Sequence, residues 1–68
     1  MRVQLNGEAL TLPENLSILQ LLERLGISPE RVGLAVAVNR RVVPRTKWGS
    51  TVLAEGDQVE LVYARQGG

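Results

Sequence analysis

The residues best suited to chemistry in this sequence are the last four, Arg65-Gln66-Gly67-Gly68. A terminal Gly-Gly presents a carboxylate on a backbone without side chains, and glycine reaches backbone conformations that are closed to other residues. The alternative interpretation is two small residues at a frayed chain end, which is the common state of termini. Taken alone, the pair fits both a reactive end and an inert one.

The composition excludes most side-chain chemistry. The 68 residues contain no Cys and no His, which excludes disulfides, thiolate nucleophiles, histidine bases and the commonest zinc sites. Ser17, Ser28 and Ser50 have no histidine to activate them, and no glycine run is followed by the Lys-Ser/Thr pair of a phosphate loop. We therefore expect a protein that is not an enzyme and that binds no cofactor or metal of its own.

A cluster of basic residues has an aromatic neighbour. Arg40, Arg41, Arg45 and Lys47 stand beside Trp48, a combination that some proteins use to hold single-stranded nucleic acid. The net charge is only +1, and a near-neutral chain lacks the broad basic surface of a phosphate binder. We favour a solvated hairpin end with Trp48 packed over the sheet edge; a docking surface for an acidic protein is the intermediate alternative, and nucleic acid is not an expected partner.

Two carboxylates flank a glycine at Glu55-Gly56-Asp57. Without further oxygen ligands at regular spacing they fall short of a calcium loop, and no acid or nucleophile accompanies them for hydrolysis. The segment predicts a turn.

Length and hydropathy indicate a single domain. A chain of 68 residues is close to the smallest that holds a fold by one apolar core alone. The longest uninterrupted apolar run, residues 34–38, is far shorter than a membrane span, and Arg2 is not followed by the apolar segment of a signal peptide. We expect a cytoplasmic protein without a membrane partner.

The N-terminal half predicts a hairpin and then a helix. Residues 2–5 alternate polar and apolar, Asn6-Gly7 favours a type I′ turn, and residues 8–12 resume the alternation. The helix is predicted between a capping box at Ser17 and a left-handed Gly26, with Ile27 closing a Schellman motif. Its apolar stripe consists of Ile18, Leu21, Leu22 and Leu25.

The C-terminal half predicts strands. A short helical turn is expected at residues 28–30, strands at 34–38, 41–43 and 58–63, a turn at Asn39-Arg40, and an apolar anchor at Val52-Leu53. Pro44 ends the second of these strands and suggests an edge position. The fold expected is α+β, a mixed sheet of four or five strands packed on one main helix in a ubiquitin-like β-grasp, with residues 1–64 as the domain and 65–68 as a flexible tail.

The sequence resembles the ThiS family, the thiamin-biosynthesis sulfur carriers of the ubiquitin-like β-grasp superfamily, over essentially its whole length. The most specific matching segments are Ala37-Val38-Asn39, residues 44–48 and the terminal Gln66-Gly67-Gly68, while the Leu-rich helix and the Gly56-Asp57 turn are shared by many β-grasp domains. Arg40 and Arg41 depart from the smaller or polar residues expected at their turn.

The resemblance implies a carrier that is modified at its C-terminus. An E1-like, ThiF-like enzyme would adenylate the Gly68 carboxylate with ATP and Mg²⁺, and a sulfur donor enzyme with a persulfide would convert it to a thiocarboxylate. A ThiG-like thiazole synthase would then take the sulfur. Arg65, Gln66 and Gly67 are the residues expected to contact these partners.

Other functions stay open from the sequence. The molybdopterin-synthase small subunit has the same Gly-Gly end, although the short first hairpin and the Trp48 segment look less like it. A sulfur carrier for tRNA thiolation or a protein modifier would use the same activated carboxylate. In another class, the domain would be an RNA-binding or interaction module with an incidental tail.

Overall fold

The computed structural model describes residues 1–64, and within them one α-helix packs on a five-stranded mixed sheet. The sheet order is β2-β1-β5-β3-β4; β1 and β5 are parallel and the other neighbouring pairs are antiparallel. This confirms the predicted α+β layout. The elements in chain order are β1 (Arg2–Leu5), β2 (Glu8–Thr11), α1 (Ile18–Arg24), β3 (Leu34–Val38), β4 (Arg41–Val43), a 3₁₀ helix (Arg45–Lys47) and β5 (Gln58–Tyr63).

Helix α1 begins and ends as its sequence predicts. The Ser17 hydroxyl accepts a hydrogen bond from the Gln20 backbone N–H at 3.1 Å, and the Gln20 side chain accepts one from the Ser17 N–H at 2.9 Å. At the other end Gly26 has φ 73°, and the Ile27 N–H donates to the carbonyl of Leu22 at 2.9 Å. A capping box and a Schellman motif therefore satisfy backbone groups at both ends of a helix too short to be stable alone.

The core lies between α1 and one face of the sheet. Ile18, Leu21 and Leu22 are fully buried, whereas Leu25 is 37% exposed because it lies at the C-cap, beyond the buried part of the stripe. In the predicted anchor Leu53 is buried and Val52 is not. The buried apolar residues are Val3, Leu12, Ile18, Leu21, Leu22, Leu34, Val36, Trp48, Leu53, Val59 and Leu61.

Two tight turns hold strand β5 through their asparagines. Asn6-Gly7 and Asn39-Arg40 both have positive φ at their two central residues, as a type I′ turn requires. The Asn6 side-chain oxygen accepts a hydrogen bond from the Leu61 N–H at 2.9 Å. The Asn39 side-chain oxygen accepts one from the Gln58 N–H at 3.0 Å. Both amides extend the hydrogen bonding of β5, which is already paired on both sides.

Arg40 occupies a conformation that suits glycine better. Its φ of 68° lies in the left-handed region, which costs a residue with a Cβ about 1–2 kcal/mol. We expect Arg40→Gly to stabilise the domain by about 0.5–1 kcal/mol after the added entropy of the unfolded chain is subtracted, as measured by urea denaturation. The matched control is Arg41→Gly in strand β4, which is expected to destabilise because glycine weakens a strand; destabilisation by Arg40→Gly would contradict the argument.

The remaining segments differ little from expectation. Residues 28–31 form one turn, closed by a hydrogen bond from the Arg31 N–H to the Ser28 carbonyl at 3.1 Å, rather than a helical segment. Strand β4 is an edge strand that ends before Pro44, as predicted. Across residues 1–64, helices of the length and apolarity that a bilayer crossing demands are absent.

Candidate functional site: the point where the tail leaves the domain

The residues predicted to carry the chemistry, Arg65, Gln66, Gly67 and Gly68, lie outside the described residues. The structure does describe where the chain leaves the sheet. Strand β5 ends at Tyr63, and Ala64 is the last described residue. Because β5 lies between β1 and β3, the tail of residues 65–68 continues from an interior strand of the sheet.

Ala64 is hydrogen-bonded to the segment that precedes β3. Its N–H donates to the Gly33 carbonyl at 2.7 Å, one step beyond the pairing of Leu34 with Tyr63. Gly33 has φ 84°, and a Cβ built on it would lie 2.9 Å from the carbonyl oxygen of Ala64. The two backbones therefore approach too closely for a side chain at position 33.

An arginine covers the last residue of β5. The Arg31 guanidinium lies 4.2 Å from the centroid of the Tyr63 ring, a cation–π distance. Arg45 donates to the Arg31 carbonyl at 3.0 Å and, more weakly, to the Leu34 carbonyl at 3.4 Å. We call Arg31, Gly33, Tyr63 and Ala64 the tail root.

Trp48 is a core residue. It is 2% exposed, and its indole N–H donates to the Val43 carbonyl at 2.8 Å. The expectation that it packs over the sheet edge understated its burial. A ring with no exposed face has no surface on which a base could stack. The alternative in which Trp48 stacks on a nucleic-acid base is therefore wrong.

The basic cluster has structural roles for some of its members. Arg45 stacks over Trp48 with its guanidinium 4.6 Å from the ring centroid, and it also holds the segment before β3. Arg40 lies in the turn and Arg41 begins β4. The four residues thus lie on a turn, an edge strand and a 3₁₀ helix, and Lys47 ends the last of these.

The Glu55-Gly56-Asp57 segment is a turn, as predicted. The Asp57 carboxylate accepts hydrogen bonds from the Ala54 N–H at 2.8 Å and from the Asn39 side chain at 3.0 Å. The Glu55 carboxylate accepts one from the Arg2 N–H at 2.9 Å. Both carboxylates are used locally, and residues 1–64 contain no cluster of three or more acidic side chains placed to hold a metal.

The face of the sheet opposite α1 carries an apolar patch at the β5-β3-β4 side. Val42 is 75% exposed and Val62 56% exposed. Between them on the same face lie Ala37, paired with Val42, and Ala35, paired with Val62. We call these four residues the open face; its small alanines leave the sheet accessible.

Sequence reasoning missed the tail root. Neither Gly33 nor Arg31 belongs to a motif that local sequence patterns single out. A glycine one residue before a strand is a signal of close backbone approach, but the neighbour it approaches, Ala64, is 31 positions away. Only the antiparallel pairing of β3 with β5 brings the two together.

Comparison with known proteins identifies the family. The ThiS family model matches residues 3–68. The sulfur carrier protein ThiS of Escherichia coli is 31% identical over 68 residues, covering all of both chains. A thiazole synthase of Magnetococcus marinus is 41% identical over 68 residues, and the chain spans 20% of that longer protein.

A solved structure agrees with the fold. The crystal structure of the thiamine biosynthesis protein ThiS from Geobacter metallireducens superposes with a TM-score of 0.85 at 30% identity, covering all of both chains. The ubiquitin-like β-grasp expected from the sequence is thus confirmed. By family model, by a relative of equal length and by structure, the chain belongs to the ThiS family of sulfur carrier proteins.

Proposed function

We propose that this protein carries sulfur on the Gly68 carboxylate for thiazole formation in thiamin biosynthesis. The observation that carries the proposal is the family match, which extends through residue 68 and so includes Gly67 and Gly68. The full-length alignment with the Escherichia coli carrier supports the same placement of the reactive end.

The proposed chemistry needs a partner enzyme because a free carboxylate is a poor electrophile. A carboxylate oxygen attacks the α-phosphorus of ATP, pyrophosphate leaves, and an acyl adenylate forms on Gly68. Hydrosulfide, or the terminal sulfur of a donor enzyme's persulfide, then attacks the acyl carbon and AMP leaves. Hydrosulfide gives the thiocarboxylate directly; the persulfide gives an acyl disulfide, which a second thiol cleaves to the thiocarboxylate.

A ThiF-like adenylating enzyme is the proposed source of ATP and Mg²⁺ chemistry, and this chain contributes the acyl group. Two glycines at the reacting end fit this role because their backbone passes a narrow channel without side chains. Arg65 and Gln66, which precede them, are proposed to contact the enzyme along that channel.

Thiazole synthase is the proposed acceptor. The Magnetococcus marinus relative supports this assignment, since a protein named thiazole synthase contains a region similar to the whole of this chain. We propose that partners dock on the open face, where Val42 and Val62 are exposed apolar side chains with no cover within residues 1–64.

The test is intact mass spectrometry. The chain is incubated with a ThiF-like enzyme, ATP, Mg²⁺ and a sulfur source, and we expect the mass increase of one oxygen replaced by sulfur, located at Gly68 by fragmentation. Omission of ATP is the control and should leave the mass unchanged. No increase with any candidate adenylating enzyme would contradict the carrier function.

Addition of purified acceptor enzymes separates the related pathways. Loss of the added sulfur to a thiazole synthase supports thiamin biosynthesis, while loss only to a molybdopterin synthase subunit or a tRNA-thiolating enzyme would reassign the acceptor. A covalent adduct with another protein would indicate a protein modifier. With Trp48 buried, the described residues offer no observation that favours RNA binding.

A further inference from the structure

We propose that the tail root is a positioning device: Gly33, supported by the stack of Arg31 on Tyr63, fixes where the tail leaves the sheet and so aligns the Gly68 carboxylate in the active site of the partner. This inference rests on the proposed carrier function. Gly33 and Arg31 are positioning residues, because each acts on the reacting group only through Tyr63 and Ala64.

The first support is a backbone approach found at one glycine. Among the glycines of residues 1–64, Gly7, Gly26, Gly33 and Gly56 have positive φ. A Cβ added at Gly7, Gly26 or Gly56 would meet no atom within 4 Å, whereas at Gly33 it would lie 2.9 Å from a backbone oxygen. That oxygen is the backbone carbonyl oxygen of Ala64, so the contact cannot be relieved by rotating a flexible side chain. Gly7, Gly26 and Gly56 are explained by their positive φ alone, whereas Gly33 also leaves the space that the Ala64 backbone occupies.

The second support is that both partners in this approach are held. The Ala64 N–H bonds to the Gly33 carbonyl at 2.7 Å, which extends the β3–β5 pairing beyond Tyr63. Arg45 donates to carbonyls at Arg31 and Leu34, on either side of Gly33, at 3.0 and 3.4 Å. The loop that receives Ala64 is therefore tied on both flanks.

The third support is the cover over the end of β5. Tyr63 is 40% exposed and has the Arg31 guanidinium 4.2 Å from its ring centroid. The contact holds the final strand residue against the same loop, from the side-chain direction. Hydrogen bond, close backbone approach and cation–π contact thus converge on two consecutive residues, Tyr63 and Ala64.

The position of this root matters because the reactive group is a short distance beyond it. Four residues span at most about 13 Å at 3.3 Å per residue. For a partner bound to the open face, the distance at which it finds the Gly68 carboxylate is therefore measured from Ala64. A reacting atom displaced by about 1 Å loses on the order of a hundredfold in rate. When the tail is held extended in the proposed channel of the partner, a shift of its origin at Ala64 is passed on to the Gly68 carboxylate.

The experiment compares Gly33→Ala with Gly56→Ala. Both variants place a Cβ on a backbone of φ 84°, but only the first meets Ala64. For adenylation by the ThiF-like enzyme we expect kcat to fall at least about tenfold in Gly33→Ala, with KM changed less than about twofold because the open face is intact. Gly56→Ala should keep both constants while losing only the stability that a Cβ at this positive φ costs, so a fall in kcat found in Gly33→Ala alone is assigned to the contact with Ala64.

A second readout does not depend on activity. Hydrogen exchange of the Ala64 amide should be slowed in the wild-type chain and in Gly56→Ala, and fast in Gly33→Ala. If the wild-type chain is never adenylated, the proposed function fails, and the exchange measurement still decides whether the root is held. Equal kcat in the two variants, or unprotected Ala64 in the wild-type chain, would overturn the positioning role.

Two substitutions of surface arginines test the proposal if Gly33→Ala does not fold. Arg31→Gln removes the cation over Tyr63, and the control Arg24→Gln removes an arginine from the last turn of α1. We expect Arg31→Gln to lower kcat about two- to fivefold with KM unchanged, as a lost cation–π contact of about 0.5–1 kcal/mol at an exposed site implies. Identical kinetics for the two variants would count against the proposal.

Discussion

Deletion of Gly68 is expected to abolish thiocarboxylate formation while leaving the melting temperature of the domain unchanged. The loss follows from the proposed chemistry, because removing one residue withdraws the carboxylate from the adenylating site by about 3.3 Å. A displacement of that size exceeds what in-line attack on a phosphate tolerates. The measurements are intact mass after incubation with the adenylating enzyme and thermal unfolding of the unmodified variant.

Stability should be spared because the stabilising contacts lie upstream. The buried apolar side chains of the described residues run from Val3 to Leu61, and the final strand ends at Tyr63. Glycine has no side chain, so removal of Gly68 takes no apolar side chain from the protein. The deletion thus tests the reactive end without disturbing the scaffold.

The control for this deletion keeps every residue and moves only the carboxylate. A variant with one alanine added after Gly68 retains Gly67 and Gly68 but should be equally inactive, since the reacting carbon is displaced in the other direction. Sulfur acquired at Gly67 of the shortened chain would contradict the requirement for Gly68, and so would parallel losses of melting temperature and activity.

Strand β5, from which this end continues, is an interior strand with side-chain hydrogen bonds added to its backbone. Strand β5 pairs with β1 and β3, and the side chains of Asn6 and Asn39 add hydrogen bonds to its backbone. A carrier whose reactive group stands on a short tail gains from a rigid origin, because positional error at the origin is passed to the tip. In the proposed chemistry the fold therefore contributes through β5, and bond making is assigned to the Gly68 carboxylate.

Local sequence signals predicted the local structure well. The Ser17 capping box, Gly26 and the Asn6-Gly7 turn each involve residues within a few positions of one another, so their geometry follows from short-range sterics and hydrogen bonding. The order of elements then left few arrangements for a five-stranded sheet. These parts of the fold were confirmed.

The contacts that were missed are between residues distant in sequence. Gly33 meets Ala64, and Asn6 bonds to residue 61, pairs whose proximity depends on which strands are neighbours. Trp48 was expected to pack over the sheet edge, and its full burial was missed for the same reason, since that burial depends on how the 3₁₀ helix folds back on α1. The hydrophobic periodicity of a sequence does not predict contacts between residues that are distant along the chain.

Replacement of Trp48 is expected to give the largest loss of stability in the domain. The ring is 2% exposed within the core, and its N–H is bonded to the Val43 carbonyl. The Trp48 and Thr51 carbonyls accept hydrogen bonds from the Leu19 and Ile18 N–H groups at 3.1 and 3.0 Å. This segment therefore supplies partners to the first turn of α1, whose N–H groups would otherwise be unpaired.

Trp48→Ala should lower the free energy of unfolding by about 3–5 kcal/mol, the cost of removing a large buried aromatic. Small domains have total stabilities near the lower end of about 5–15 kcal/mol, so the variant should be close to unfolded at room temperature. The expected loss in melting temperature is on the order of 20 °C. Urea denaturation and circular dichroism provide the measurement.

Two further substitutions make this prediction specific. Trp48→Phe keeps most of the ring volume but leaves the Val43 carbonyl without its donor, so it should cost about 1–2 kcal/mol. Val32→Ala removes an apolar side chain that is 73% exposed and should stay within about 0.5 kcal/mol. A loss below about 1 kcal/mol for Trp48→Ala would mean that Trp48 contributes little to the core, and the residue would again be a candidate for contact with a partner.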